Sequence, residues 1–233
     1  MAQRLRTIAA MGTLYLVRHG QASFGAANYD QLSPRGLEQA QRLGAYWRAR
    51  GLRFDAVLTG TLQRHAQTLA GIGEALGPLP PAQALPGLDE YDSLALIRAI
   101  HTAPLAKPDT PELFRQHFRI LCDALAQWMG GTISPQGMPS WEDFSSGVHA
   151  ALDLVRRAHA GQNVLLVSSG GPISTAVGQV LGTSPEVTIA LNMRIRNSAV
   201  TEFSISPKRL MLQTFNTLPH LDAPEHAALV THA

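Results

Sequence analysis

The sequence predicts an α/β protein, a three-layer α/β/α sandwich around a mainly parallel central sheet. Three observations carry this. Short, continuous apolar runs rich in β-formers alternate with helical periodicity towards both ends of the chain, the pattern of strands buried between helices. Two of those runs end in polar, glycine-containing turns, 18–20 and 168–172. In such sheets ligands bind outside the carboxyl ends of the strands, so the two turns are candidates for one shared site. The middle of the chain, about 92–160, is helical and reads as an insertion over that site.

In chain order, 13–17 is the first strand. Ser33-Pro34 starts a helix, with serine as N-cap and proline at the first helical position. Leu37, Ala40, Leu43, Ala45 and Trp47 give it an apolar face, and Gly51 ends it. Residues 56–58 are a second strand and 61–76 a second helix, closed by Gly77-Pro78. The proline-rich stretch 77–87 is a connector. Helices are expected at 93–100, 111–129 and 140–160. Residues 163–167 form another strand, and a helix runs from the 168–172 turn to Leu181. Late strands are expected at 191–196, 199–205 and 210–215. The chain therefore divides into an N-terminal extension (1–12), one domain (13–221, insertion included) and a loose C-terminal tail (222–233). Met11-Gly12 is a candidate alternative start.

Composition narrows the function. At 233 residues, with 45% hydrophobic and 15% charged, the chain can bury a sizeable core. The net charge is +2 and no basic run exists, which argues against nucleic acid. A pocket for a small anion needs only a few cations. Arg4 and Arg6 before an apolar stretch resemble a signal peptide. That stretch runs straight into the polar 18–20 turn, which cleavage would damage, so the reading is rejected. No apolar run reaches 18 residues, so no membrane span is expected and the cytoplasm is the default. The single Cys122 cannot form an internal disulfide and reads as a core thiol. No histidine pair has zinc spacing, and neither metal nor cofactor is expected. A homodimer is compatible with the sequence, which does not require one.

Arg18-His19-Gly20 carries the chemistry. A histidine can attack phosphorus only through an unprotonated ring nitrogen, and a neighbouring arginine disfavours imidazolium while binding phosphoryl oxygens. Glycine lets the backbone approach. The segment Leu14-Tyr15-Leu16-Val17-Arg18-His19-Gly20 resembles the signature of the histidine phosphatase superfamily, the phosphoglycerate-mutase-like fold. The resemblance extends through Leu32-Ser33 to Gln39-Ala40, and through Arg64-His65-Ala66-Gln67-Thr68. It continues in Leu88-Asp89-Glu90, in Val167-Ser168-Ser169-Gly170-Gly171-Pro172, in 197–201 and in 216–221.

The resemblance implies a phosphatase acting on a small phosphorylated substrate, with His19 as nucleophile and Arg18 and Arg64 as the phosphate clamp. Glu90 would be the proton donor, with Asp89 the weaker substitute. The Gly170 amide would be a further phosphate contact. Where the family has a second histidine this chain has Ser169. Serine keeps a hydrogen bond but loses a cation, which implies slower turnover. It also implies a more alkaline rate profile, because fewer cations act on His19. Gln21 and Gly25 depart from the family in smaller ways, and Asn28 does not align without a gap.

His65, His101, His117, His149 and His159 do not match the missing position and are expected at the surface or partly buried. For His65, its helical neighbour Arg64 points about 100° away. The region 92–145 holds Arg98, Lys107, Arg115 and Arg119 against Asp92, Asp109, Glu112, Asp123, Glu142 and Asp143, which disfavours a multiply phosphorylated substrate. Trp128, Met129, Met138, Trp141 and Phe144 line a pocket or fill a lid core. Alternatives are a pseudophosphatase that only binds phosphate or a protein, a mutase, and a serine hydrolase using Ser168 or Ser169. The last lacks the glycine two residues before the serine, where Leu166 and Val167 stand.

Overall fold

The computed structural model of the protein describes residues 11–23, 30–103, 105–106 and 109–232. The strands are β1 (Gly12–Arg18), β2 (Ala56–Thr59), β3 (Ala82–Ala84), β4 (Asn163–Ser168), β5 (Val200–Ile205) and β6 (Leu210–Thr217). They form one sheet in the order β3-β2-β4-β1-β5-β6. The first four neighbours run parallel, and β5 pairs antiparallel with both β1 and β6. The helices are α1 (Pro34–Ala49), α2 (Gln63–Leu76), α3 (Ser93–Ile100), α4 (Pro111–Met129), α5 (Trp141–Ala158), α6 (Gly170–Leu181) and α7 (Pro185–Asn192). This is the expected α/β sandwich with a mainly parallel sheet.

Strand alternation builds the layers. Along β4, Val164 and Leu166 face one core while Leu165 and Val167 face the other. The second of these cores is closed by Ala40, Leu43 and Trp47 of α1 and Ile72 of α2. The first is closed by Trp128 of α4, Val148 and Val155 of α5, and Ile173 and Val177 of α6. Both faces of the sheet are thus covered, which is why its strands read as continuous apolar runs.

Local signals set the helix starts. Ser33, Thr110, Ser140 and Ser184 each accept a bond from an amide in the first turn, and a proline follows three of the four.

Several expectations are corrected. The stretch 92–160 packs into the rest of the domain, with Ala124, Leu125 and Trp128 of α4 and Phe144, Val148, Ala151, Leu152 and Val155 of α5 in the main core. Trp128 and Phe144 are buried there, with Met129, Met138 and Trp141 packed against them, so these residues are core rather than the wall of an open pocket. The connector 77–87 contains β3, which pairs with β2. The strand expected at 191–196 is absent, because α7 runs to Asn192 and a turn follows.

The tail is not loose through Thr231. It makes a 3-10 turn at Pro224–Leu229, and Gln39 Nε2 donates to Leu229 O at 2.6 Å and to Thr231 Oγ1 at 2.9 Å. The expected extension falls largely on 1–10, outside the described residues, and Gly12 already lies in β1. No helix among the described residues is long and apolar enough to cross a membrane.

Trp128 is fully buried against Tyr91, Trp141 and Phe144 and donates its indole N–H to Pro139 O at 3.2 Å. Trp128→Ala should therefore lower the unfolding free energy by about 3–5 kcal/mol. Urea unfolding measures this, and a loss well under that range would mean the helical layer relaxes to fill the cavity.

Candidate active site

The site is built at the carboxyl ends of β1, β2 and β4. The ladder between β1 and β4 continues one step beyond the strands, with His19 N–H donating to Ser168 O at 2.9 Å. Gly60, just after β2, donates to Val167 O at 3.1 Å. The turn after β1 then packs against the start of α1. A Cβ on Gly20 would lie 2.3 Å from Gly36 O, so glycine is required by the close approach. The turn is also held from the side. Gly20 N–H donates to Thr68 Oγ1 at 3.0 Å and Gln21 N–H to Gln39 Oε1 at 2.8 Å. Gln21 itself accepts from Ser33 Oγ at 3.0 Å. Gly25 and Asn28 lie outside the described residues.

His19 is buried, and its Nδ1 sits 2.7 Å from Gly20 O. A carbonyl can only accept, so Nδ1 carries the proton and the neutral ring keeps its lone pair on Nε2. Burial is the largest influence holding this imidazole well below its ordinary pKa, followed by Arg18 and Arg64. The ring is thus neutral near neutral pH, with Nε2 free of a proton.

Arg18 and Arg64 are both buried. Arg18 Nη1 donates to Ile195 O, and Arg64 Nη1 pairs with Asp30 at 2.9 Å. Asp30 escaped the sequence reading. It also accepts from Gln63 N–H at 2.8 Å, so it caps the start of α2 while aligning the arginine.

Glu90 meets this cluster from the segment after β3. Its two carboxylate oxygens accept from Gly171 N–H at 3.1 and 3.2 Å. A Cβ on Gly171 would lie 2.2 Å from Glu90 Oε1, so only glycine admits the carboxylate here. Burial raises the pKa of Glu90, opposed by that amide and by Arg18 and Arg64. Asp89 points elsewhere, accepting from Thr61 N–H at 2.6 Å and from the Thr61 hydroxyl.

Ser169 is the N-cap of α6, and Gly170 opens the helix. The serine makes no capping bond with its side chain. Instead its hydroxyl lies 2.7 Å from His65 Nε2. This corrects the expectation for His65, which is fully buried and has its ring centroid 5.8 Å from that of His19. Arg64 and His65 diverge by about 100° yet lie together, because α2 begins only four residues after β2, at the edge where the site lies. At a helix end facing the site, side chains that diverge can both reach it. His101, His117, His149 and His159 stay half-buried or exposed, as expected. Among the described residues no group of three or more His, Cys, Asp or Glu could hold a metal ion.

The structure therefore brings His19, Arg18, Arg64, Glu90, Ser169 and Gly170 to one strand edge. The sequence profile of the histidine phosphatase superfamily (branch 1) matches residues 14–218. A Shigella boydii serotype 18 protein named "Probable phosphoglycerate mutase GpmB" is 25% identical over 229 residues, covering 91% of this chain and 95% of its own. Among solved structures, phosphoserine phosphatase from Entamoeba histolytica bound to 3-phosphoglyceric acid superposes with a TM-score of 0.63 at 20% identity, covering 91% of this chain and 100% of that one. Phosphoglycerate mutase from Bacillus anthracis superposes with a TM-score of 0.64 at 18% identity, covering 91% and 96%. At these identities the two structures support the fold.

Two buried imidazoles have a consequence for stability. Burial first, then nearby Arg64 for His65 and Arg42 for His220, lowers each pKa to about 3. An unfolded histidine titrates near 6.5. Between those values the unfolded chain binds more protons, so stability falls as pH drops from about 6.5 towards 3. Each group should contribute a slope that is small above pH 7 and approaches about 1.4 kcal/mol per pH unit below about pH 5.5. Urea unfolding between pH 7.5 and 5 measures it, and His220→Gln, which has no proton to take up, should flatten the dependence by about one such slope.

Proposed function

This chain belongs to the histidine phosphatase superfamily, and within that family we propose that it is a phosphomonoesterase forming a phosphohistidine on His19. The observation that carries the reading is the His19 Nδ1 contact with Gly20 O, which leaves Nε2 unprotonated among two buried arginines. A phosphorylated small molecule would place its phosphoryl oxygens against Arg18, Arg64 and the start of α6, where the Gly170 amide adds a donor at the positive end of the helix. Phosphoryl transfer is mostly positioning and charge stabilisation, and two buried arginines beside a neutral imidazole favour both.

In the first step the Nε2 lone pair forms the N–P bond as the P–O bond to the leaving group breaks. Glu90 passes its proton to the departing oxygen. In the second step Glu90, now a carboxylate, takes a proton from water as the water oxygen forms a P–O bond and the N–P bond breaks. Orthophosphate leaves and Glu90 is protonated again. An acid with a raised pKa suits this double duty.

The convergence of nucleophile, cations and acid favours turnover over a module that only binds phosphate. The charge balance of 92–145 favours a small monophosphate over a multiply phosphorylated one. We place hydrolysis ahead of mutase chemistry, which would additionally have to shield the phosphoenzyme from water. With Ser169 at the position where the resemblance implies a histidine, one cation fewer surrounds the phosphoryl group. A deficit of about 10²–10³ in rate is the ordinary cost of one lost donor.

The alkaline profile implied by charge alone is revised, because burial outweighs any single cation in setting His19. Attack requires neutral His19, whose pKa lies well below 6.5, so the rate should hold as pH falls from 7 to 6. Protonation of the leaving group requires protonated Glu90, so the rate on an alkyl phosphate should fall as pH rises through its raised pKa. His19→Ala should abolish turnover and the acid-labile phosphoenzyme. Glu90→Gln should cost about 10²–10⁴ on glycerol phosphate but much less on p-nitrophenyl phosphate, whose leaving group needs no proton. Steady-state assays on the two esters make the comparison, and turnover that survives His19→Ala would overturn the reading.

A further inference from the structure

We propose that His65 is a positioning residue that acts on the phosphoryl group through Ser169, as a donor relay from His65 Nε2–H to Ser169 Oγ and from the Ser169 hydroxyl to a phosphoryl oxygen. The inference rests on the phosphohistidine reading above and identifies what replaces the missing contact at position 169.

Four features of the geometry carry it. First, a serine at a helix N-cap ordinarily spends its oxygen on an amide of the first turn. At α6 that amide, Gly171 N–H, is taken by Glu90 from a distant segment. Ser169 is thereby released from capping, and its buried hydroxyl turns to His65.

Second, the imidazole occupies a prepared space. It is fully buried, and a Cβ on Gly60 would lie 2.3 Å from its Nδ1, so the end of β2 leaves room for the ring only because residue 60 is glycine. Third, the ring lies beside the proposed nucleophile, with its centroid 5.8 Å from that of His19.

Fourth, the ring's other nitrogen has no competing bond. Nδ1 makes no hydrogen bond, and Asp89, 3.7 Å away, is beyond hydrogen-bond reach with its two oxygens turned to Thr61. A neutral imidazole has one N–H to place. On Nδ1 the proton has no hydrogen-bond acceptor, and the Ser169 hydroxyl is then spent on Nε2. On Nε2 it supports Ser169 from behind and frees the serine proton for the pocket. An anion in the pocket selects the second arrangement. Burial and the Arg64 charge keep the ring neutral, so the relay supplies oriented donors without a second cation.

A Ser169–His65–Asp89 array also has the look of a hydrolytic triad. The 3.7 Å gap to Asp89, and the commitment of that carboxylate to Thr61, argue against it.

The test uses the full chain with p-nitrophenyl phosphate, and orthophosphate as the pocket probe. His19→Ala is measured first. Loss of turnover there upholds the phosphohistidine reading independently of the relay. Ser169→Ala and His65→Leu should then each lower kcat by about 10²–10³. The double variant should be no worse than either alone, because the two residues act as one unit. His65→Gln, which keeps an N–H near the position of Nε2, should recover most of the loss.

In nitrogen-15 spectra of the wild type, orthophosphate should shift the His65 proton onto Nε2, a response that a merely structural histidine would not give. That spectrum and Ser169→Ala keep the proposal open to refutation if His65→Leu fails to fold. Multiplying losses in the double variant, or a His65 tautomer indifferent to orthophosphate, would overturn the relay. Turnover lost in Ser169→Ala but kept in His19→Ala would overturn both readings and make Ser169 the nucleophile.

Discussion

One backbone bond beyond the end of a ladder organises the site. When His19 N–H reaches Ser168 O, the turn after β1 and the turn after β4 become neighbours by construction. The pairing of Arg18 with Ser168 in the β1–β4 register brings the residues after them to the same edge. Every later contact presumes this alignment. Arg64 and His65 arrive from the helix that follows β2, itself paired to β4 on the opposite side from β1. Glu90 arrives from the segment after β3, the next strand out. Four parallel strands thus deliver their successors to one place, and the fold needs no dedicated scaffold for the pocket.

Crowding is the cost of that arrangement, and glycine relieves it. Gly20 meets Gly36, Gly60 meets the His65 ring, and Gly171 meets the Glu90 carboxylate, each at a distance that a Cβ would violate. The glycines after β4 were legible as a phosphate-type turn. Their further duty, making room for an acid and leaving a serine uncapped, was not. Gln67 and Thr68, which looked like part of a binding motif, turn out to hold backbone. Gln67 accepts from Leu32 N–H at 2.7 Å and Thr68 from Gly20 N–H.

Most of the fold was legible because its signals are local. Ser33-Pro34 and Thr110-Pro111 fix helix starts within a few residues, and α3 and α4 have the bounds that the sequence implied. The failures are of two kinds. Ser184-Pro185 carries the same start signal, but 185–190 were assigned no element and the last two residues of α7 were taken into a strand at 191–196, since a short stretch with apolar residues does not distinguish the two. Strand β3 is an exposed edge strand of three residues paired with β2, so it has no apolar pattern of its own. In the site, the residues of Arg18-His19-Gly20 could be named from one stretch of chain. Asp30 with Arg64, His65 with Ser169 and Glu90 with Gly171 are separated by 34, 104 and 81 positions, and such pairings leave no periodic trace.

The bond between Glu90 and Gly171 has one more implication. In the proposed cycle Glu90 alternates between acid and carboxylate while facing the first turn of α6. A helix N-terminus favours negative charge, and burial disfavours it. The two preferences oppose each other at one carboxyl group, so neither protonation state is deeply trapped. In that cycle the helix end would work as a counterweight, making the spent acid tolerable long enough to be used again as a base. An acid in an equally dry environment without that helix would give up its proton reluctantly, and one on the same helix in water would have lost it well below neutral pH.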